Sequence, residues 1–325
     1  MNRFQHFFIA LSGSILLWAA WPVSPLTLLI FVAWVPLLWI EDHVGNWKKL
    51  FGLAYLHMLV WNVATTWWIW NASAPGAMGA FIANSLIMCI PWLLFYFTKK
   101  KLGQWIGYGS LIIYWLTFEF IHHNWDLSWP WLTLGNAFAN HPEWVQWYEF
   151  SGSAGGSLWV LLVNILAYSV VKAYRYGGRG RLYYLGLAGW IALIAIPILL
   201  SRIMAGKERE SVAAALASAR KNVVIVQPNI DPYTEKFTGS IESQIQKLVI
   251  LSEKQIDTNT TLVVWPETAI PAQVWEDQIK ENYFYNPVWS FLHRHPFMGL
   301  VTGIDSYKNY GTNKADAPVT ARFEP

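Results

Sequence analysis

The chain has 325 residues, of which 54% are apolar and only 13% are charged, about half the usual charged share. The charges are unevenly placed, with 16 in residues 1–201 and 27 in residues 202–325. This pattern excludes a disordered chain and a single soluble globule. It predicts a membrane domain over residues 1–205, a linker over 206–220 and a soluble domain over 221–325. Cys89 is the only cysteine, which excludes an intramolecular disulfide and a cysteine zinc cluster.

Long uncharged runs predict about seven membrane-spanning helices in the first domain. A spanning helix needs roughly 20 apolar residues. The uncharged runs lie at 4–40, 50–98, 102–118, 150–171 and 182–201. The first two are long enough for two helices each, with breaks near 21–25 and 71–76, where prolines occur. A cleaved signal peptide is an alternative for the first run, but no polar cleavage region follows it.

The basic residues predict the orientation of these helices. If the N-terminus lies in the cytoplasm, all ten Lys and Arg of residues 1–201 fall before the first span or in the even-numbered loops. Basic residues accumulate on the cytoplasmic side because they resist translocation. Seven spans then place everything after Arg202 outside the cytoplasm.

The loop at 120–153 is rich in tryptophan, and 19 of the 22 tryptophans lie in residues 1–201. Because tryptophan favours the membrane interface, we interpret this excess as an interfacial surface. Two interpretations of the loop stay open, an aromatic belt and the mouth of a lipid-accepting cleft. His122 and His123 are adjacent, a poor spacing for a shared metal, so we predict no metal site.

Two further features of the membrane domain favour structural roles. Residues 151–156 are small but lack the G-x-S-x-G spacing of a nucleophile elbow, so they predict close helix packing. Cys89 lies inside an apolar span, where a cysteine behaves as a small hydrophobic residue rather than as a nucleophile.

The soluble domain has an alternating pattern of strands and helices. We predict strands at 222–227, 261–265 and 297–303, an amphipathic helix over 241–252, and one or two helical pieces over 272–293. This order indicates an α/β domain with neighbouring strands in one sheet. Loops at the carboxyl ends of such strands commonly carry chemistry. Glu267 directly follows the second strand and is the carboxylate best placed to act as a general base, although a loop or capping role is the alternative.

Several motifs resemble those of one family. Val264-Trp265-Pro266-Glu267-Thr268-Ala269-Ile270-Pro271 resembles the glutamate signature of the apolipoprotein N-acyltransferases, membrane members of the nitrilase superfamily. The strand at 223–227 with Pro228-Asn229-Ile230 looks like the first nitrilase strand. In the membrane domain, Trp115 to Glu119, Trp129-Pro130-Trp131 with Leu134-Gly135-Asn136, and Leu161 to Asn164 look like its helix and loop motifs.

The resemblance implies a fold, an activity and a location. The fold is a polytopic α-helical membrane domain followed by an α/β nitrilase-like domain that is incomplete at its C-terminus. The activity is transfer of an acyl chain from a phospholipid to the N-terminal amine of a diacylglyceryl lipoprotein, through a thioester on a cysteine, with Glu267 as general base. Phe237, Trp129 and Trp131 would contact substrate. No cofactor and no nucleic acid is implied, and the location is the bacterial inner membrane with the α/β domain in the periplasm.

The sequence departs from the family pattern in three ways. The lysine and cysteine of the family's catalytic triad would lie beyond residue 325, so we expect this chain alone to be inactive. Lys236-Phe237 stands where Lys-Trp is common, and His122 stands where an arginine is common. The alternatives are a membrane-tethered amidase or transferase acting on another amine, and a non-catalytic truncated relic.

Overall fold

The computed structural model describes residues 2–22, 24–219, 221–231, 235 and 239–310, with the backbone alone at 207–209, 211 and 214–219. The chain divides into two compact units, Met1–Glu210 and Ser211–Pro325.

The first unit is built from α-helices in the order that the sequence predicts. They are α1 (Arg3–Ala20), α2 (Val35–His43), α3 (Trp47–Thr66), α4 (Ala74–Leu102), α5 (Gln104–His123), α6 (Tyr148–Gly177) and α7 (Arg181–Ala219), the last of which continues into the second unit. Among the described residues, three stretches are long and apolar enough to cross a membrane, namely α4, α6 and residues Arg181–Gly206 of α7. That all seven helices cross the membrane, and that the N-terminus lies in the cytoplasm, remain predictions.

The second predicted span is interrupted rather than continuous. A short 3₁₀ helix at Thr27–Phe31 is followed by a turn and then by α2. The buried Asn164 side chain of α6 satisfies the backbone at this break, because its Oδ1 accepts from Trp34 N at 2.9 Å and its Nδ2 donates to Ile30 O at 2.8 Å. Irregular backbone at membrane depth needs such internal partners. The expectation of a simple helix here was therefore wrong.

A charged cluster joins α2, α4 and α6 at one end of the bundle. Lys99 pairs with both Glu41 and Asp42. Asp42 also pairs with Lys172 at 2.7 Å and accepts from the Tyr168 hydroxyl at 2.5 Å. Basic residues from two of the predicted cytoplasmic loops thus meet at the same end of the bundle, which is consistent with their placement on one side of a membrane.

Tryptophan also builds the interior of the first unit. The Trp34 ring is fully buried and lies 5.3 Å from Trp92, 4.7 Å from Trp115 and 6.0 Å from Trp61, measured between ring centroids. Edge-to-face and offset stacked pairs of this kind are favourable. The interpretation of the tryptophan excess as an interfacial surface was therefore wrong for these four residues.

The described residues of the second unit form strands that pair in parallel and the α-helices α8 and α9, besides the end of α7. They are β1 (Asn222–Ile225), α8 (Ile241–Glu253), β2 (Thr260–Val264), β3 (Ile270–Trp275), α9 (Asn286–Arg294), β4 (Gly299–Val301) and β5 (Ile304–Tyr307). Strands β1, β2 and β4 form a parallel sheet in that order, with β2 central, and β3 pairs in parallel with β5. The predicted α/β pattern is confirmed for the described residues.

One prediction for this unit was wrong in part. Helical structure was expected over 272–293, but residues 270–275 form β3 and only Asn286–Arg294 forms an α-helix. Ile270, Ala272 and Val274 are buried while the residues between them are more exposed. This period of two is the pattern of a half-buried strand, and pairing with β5 stabilises it.

Candidate functional site

Glu267 lies in the loop that follows the central strand β2. Two backbone hydrogen bonds hold this loop against the end of β4 and the segment that follows it, from Trp265 N to Val301 O at 2.8 Å and from Gly303 N to Pro266 O at 3.3 Å. The Glu267 side chain is exposed, and no hydrogen bond to its carboxylate is made by the residues that the structure describes. The carboxylate is therefore available to an incoming group at the carboxyl end of the sheet.

The buried Trp265 side chain fixes the start of this loop to helices α8 and α9. Its indole Nε1–H donates to Ser252 Oγ in α8 at 2.9 Å, and its ring stacks on Phe291 of α9 with 6.1 Å between centroids. Ser252 Oγ in turn donates to Leu248 O at 2.7 Å. Because a buried indole N–H needs an acceptor, this pairing fixes the residue two positions before Glu267.

The loops after β1 and β2 both contain a residue in the left-handed region. Asn229 has a φ of 50° and Thr268 a φ of 49°, a conformation that is costly for a β-branched residue such as threonine. Gly303 allows the loop after β2 to adopt its conformation, because a residue without a side chain can lie close to the backbone of that loop. A Cβ atom on Gly303 would lie 2.6 Å from Thr268 N and 2.9 Å from Glu267 Cα. Such strain clusters at functional sites.

In the first unit, Trp129 and Trp131 follow α5 in a loop that contains short 3₁₀ helices, one of them at Pro130–Leu132. The Trp129 ring packs against the core and lines a cavity of about 410 Å³. Trp131 is 47% exposed, and its ring meets Trp68 edge-on at 5.5 Å. The structure thus places Trp129 at a cavity and Trp131 at the surface. Phe237, the other predicted contact residue, lies outside the described residues.

Glu119 connects α5 to this loop. It is buried, and its Oε1 accepts from Trp115 Nε1 and from Leu134 N, each at 2.9 Å. The next residue, Gly135, donates from its backbone N to Ser157 Oγ in α6 at 3.0 Å. A Cβ atom on Gly135 would lie 2.1 Å from Ser153 O. A Cβ atom on Gly156 would likewise lie 2.9 Å from Gly135 Cα, which confirms the predicted close packing for this small residue of the segment 151–156.

Replacing Glu119 with alanine should destabilise the first unit. The substitution leaves the Trp115 and Leu134 donors without their acceptor, at a cost of about 1–3 kcal/mol for each buried donor. Glu119→Gln keeps an oxygen in place and should cost less. The measurement is thermal unfolding of the detergent-solubilised chain, and equal losses for the two variants would contradict this role.

Cys89 is fully buried in α4, and its Sγ donates to Ser85 O at 3.2 Å. This confirms the prediction of a small buried residue. Among the described residues, no group of three or more His, Cys, Asp and Glu is arranged to hold a metal ion.

Comparison with known proteins identifies the family. Residues 13–166 match the model of the apolipoprotein N-acyltransferase N-terminal domain. The chain is also 30% identical over 286 residues to an apolipoprotein N-acyltransferase of Chlorobaculum tepidum. Over residues 13–166, this chain belongs to the apolipoprotein N-acyltransferase family. The alignment covers 86% of this chain and 52% of the relative, so the chain spans about half of that protein's length.

The resemblance found in the sequence is thus confirmed for the family, and the roles of Glu267, Trp129, Trp131 and Phe237 in this family member stay proposals. Sequence reasoning did not identify Gly303 as part of the Glu267 loop. The signal was weak, because a glycine after a strand has many explanations. Glu119 gave a stronger signal, since an ionisable residue within an apolar segment usually has a specific role.

Proposed function

We propose that this chain carries the general base and the membrane domain of an enzyme that transfers an acyl chain to the N-terminal amine of a lipoprotein. The observation that carries the proposal is the position of Glu267. It stands exposed at the carboxyl end of the central strand of a parallel sheet, within the motif that resembles the family's glutamate signature. Family membership supports the reaction class.

The proposed first step is attack of a cysteine thiolate on a phospholipid ester. Glu267 takes the thiol proton, the sulfur–carbon bond forms and the ester carbon–oxygen bond breaks. The lysophospholipid oxygen then leaves with a proton returned from Glu267. The acyl chain remains on the enzyme as a thioester. A weakly acidic nucleophile needs an adjacent base of this kind, and the tetrahedral oxyanion needs fixed donors or positive charge.

The proposed second step transfers the acyl chain to the lipoprotein. The free amine of a diacylglyceryl-cysteine attacks the thioester, the amide bond forms and the thiolate leaves. Glu267 accepts the proton that the amine loses. Cys89 is a poor nucleophile for this chemistry because it is buried and bonded within α4. The proposal therefore assigns the cysteine, and the lysine that would stabilise the oxyanion, to a nitrilase-like domain completed by residues beyond 325.

The proposed reaction is set in a membrane. We propose seven crossings, with the N-terminus in the cytoplasm and the α/β unit on the periplasmic side of the bacterial inner membrane. The three long apolar helices and the charged cluster of Lys99 and Lys172 support this placement. Phospholipid would then be the acyl donor and a secreted lipoprotein the acceptor, with Trp129, Trp131 and Phe237 as contacts.

The test is a mass-spectrometric acylation assay with the full-length product of the gene. A diacylglyceryl lipopeptide with a free amine should gain the mass of one acyl chain in phospholipid vesicles, and the same peptide with an acetylated amine should gain none. Acylation of a different amine in place of the lipopeptide would favour the amidase or transferase alternative. A reading frame that stops at codon 325, with no acylation, would favour the non-catalytic relic.

A further inference from the structure

The ends of several helices of the first unit meet at one surface. The ion pairs of Lys99 and Lys172 join the ends of α2, α4 and α6 there. The Tyr96 hydroxyl of α4 donates to Gly45 O, just before α3, at 3.1 Å. Helices α5 and α7 begin within a few residues of the ends of α4 and α6. We call this surface the basic end of the bundle, and it comprises residues 41–49, 96–107 and 168–184.

The basic end carries an excess of positive charge. Its acidic residues are Glu41 and Asp42, and Lys99 and Lys172 already pair with them. Seven more basic residues on this surface are exposed, namely two lysines at the start of α3, two at the end of α4 and three arginines within residues 175–181. None of the seven forms an ion pair with another residue that the structure describes. Their charge is therefore available to anions from outside the protein.

Aromatic rings accompany these charges. Lys48 Nζ lies 5.8 Å from the centroid of the Trp47 ring, and the Arg179 guanidinium lies 6.0 Å from that of Tyr174. The Trp47 ring is also 6.4 Å from that of Phe97 near the end of α4, so the lysines of α3 and α4 border one patch. Tryptophan and tyrosine favour the membrane interface. Because α4 and α6 are long and apolar enough to cross a membrane and both end here, the basic end lies where lipid headgroups meet water.

The convergence of these loops adds something that membrane orientation does not require. Basic residues stay on one side of a membrane because of the sequence of each loop, whether or not the loops meet. A cluster of about four to eight Lys and Arg beside a spanning helix attracts anionic lipids, and each residue near the surface strengthens binding about fivefold. A zwitterionic lipid gains little, because the ammonium group of its own headgroup balances its phosphate.

We propose that the basic end binds the headgroups of anionic phospholipids, in which a phosphodiester has no ammonium group beside it. Phosphatidylglycerol has this chemistry. The bound lipid stays beside the bundle and is not consumed. Helix α5 has 20 residues and therefore carries the loop of Trp129 and Trp131 about 30 Å from the basic end. The proposal thus concerns a different surface from the proposed substrate contacts, and it stands or falls independently of acyl transfer through Glu267.

The test measures lipid selectivity by electron paramagnetic resonance. The full chain is placed in phosphatidylcholine vesicles that contain a trace of spin-labelled phosphatidylglycerol or spin-labelled phosphatidylcholine, and the motionally restricted fraction of each label reports its binding. We expect phosphatidylglycerol to be preferred about twofold or more, because the roughly fivefold gain at a basic residue is averaged with unselective contacts elsewhere on the bundle. Added salt should lower the preference, since screening weakens exposed charges.

Substitution of four lysines locates the preference on the protein. Changing Lys48, Lys49, Lys100 and Lys101 together to glutamine removes four of the seven excess charges, so at least half of the preference should be lost. Changing the same four residues to arginine keeps the charge and is the matched control, which should retain the preference. Because all four are exposed and form no ion pair with the described residues, both variants should unfold at the temperature of the parent protein.

Three results would overturn the proposal. The first is equal restriction of the two lipids by the parent protein. The second is a preference that salt does not change. The third is a preference that the glutamine variant retains in full, which would place the selective lipid elsewhere on the protein, including at the proposed acyl-donor contacts.

Discussion

Glu267→Gln is expected to lower acyl transfer by at least about 100-fold, because a positioned general base contributes roughly 10²–10⁴-fold. Glutamine keeps the size of the side chain but does not accept a proton at neutral pH. The full-length gene product should be assayed with a diacylglyceryl lipopeptide. Since Glu267 is exposed and unbonded to the described residues, the variant should unfold at the same temperature as the parent protein.

Glu281→Gln is the matched control for this variant. Glu281 is an exposed carboxylate in the same unit, in the segment between β3 and α9. It should retain full activity. If Glu267→Gln were equally active, the assignment of the base would be wrong, even if the acylation itself were observed.

Gly303→Ala should displace the Glu267 loop, although Gly303 itself lies in the segment after β4. The added Cβ would lie 2.6 Å from Thr268 N and 2.9 Å from Glu267 Cα, and these are backbone atoms that cannot rotate away. Overpacking of this kind typically costs about 1–3 kcal/mol. A displacement of about 1 Å at a catalytic group can cost on the order of 100-fold in rate. We therefore expect a large loss of acyl transfer with a moderate fall in stability.

Gly299→Ala provides the control for this second variant. The new Cβ would lie 3.3 Å from Leu262 Cδ1, the end of a flexible side chain, and 3.8 Å from Thr261 O. It should therefore be tolerated much better. Activity and thermal unfolding are measured for both variants in parallel. Indistinguishable behaviour of the two alanine variants would show that close approach at Gly303 does not position Glu267.

Local sequence patterns were sufficient for the helices of the first unit other than the interrupted second one, and for the loop that carries Glu267. Uncharged apolar runs specify helices because the backbone must satisfy its own hydrogen bonds away from water. In the second unit, the β-branched run that ends at Trp265-Pro266 specified strand β2 and the point where it stops. These features depend on residues that are close together in the chain.

Contacts between residues far apart in the sequence decided the break before α2 and the burial of Trp34. The break before α2 depends on Asn164, which is 130 residues from Trp34. The burial of Trp34 depends on rings from α3, α4 and α5. The composition counts a tryptophan in the same way whether it lies at an interface or in a core. Only the packing in the structure therefore distinguishes the two environments.

The sequence by itself determined the division into an apolar and a charged half, the order of the helices, the family and the position of Glu267 after a strand. The tertiary structure decided that Gly303 packs against the Glu267 backbone and that Asn164 of α6 satisfies the backbone at the break before α2. The physical reason is that local periodicity records which face of an element is apolar. The partner of a buried polar atom is set by the three-dimensional packing of elements far apart in the chain.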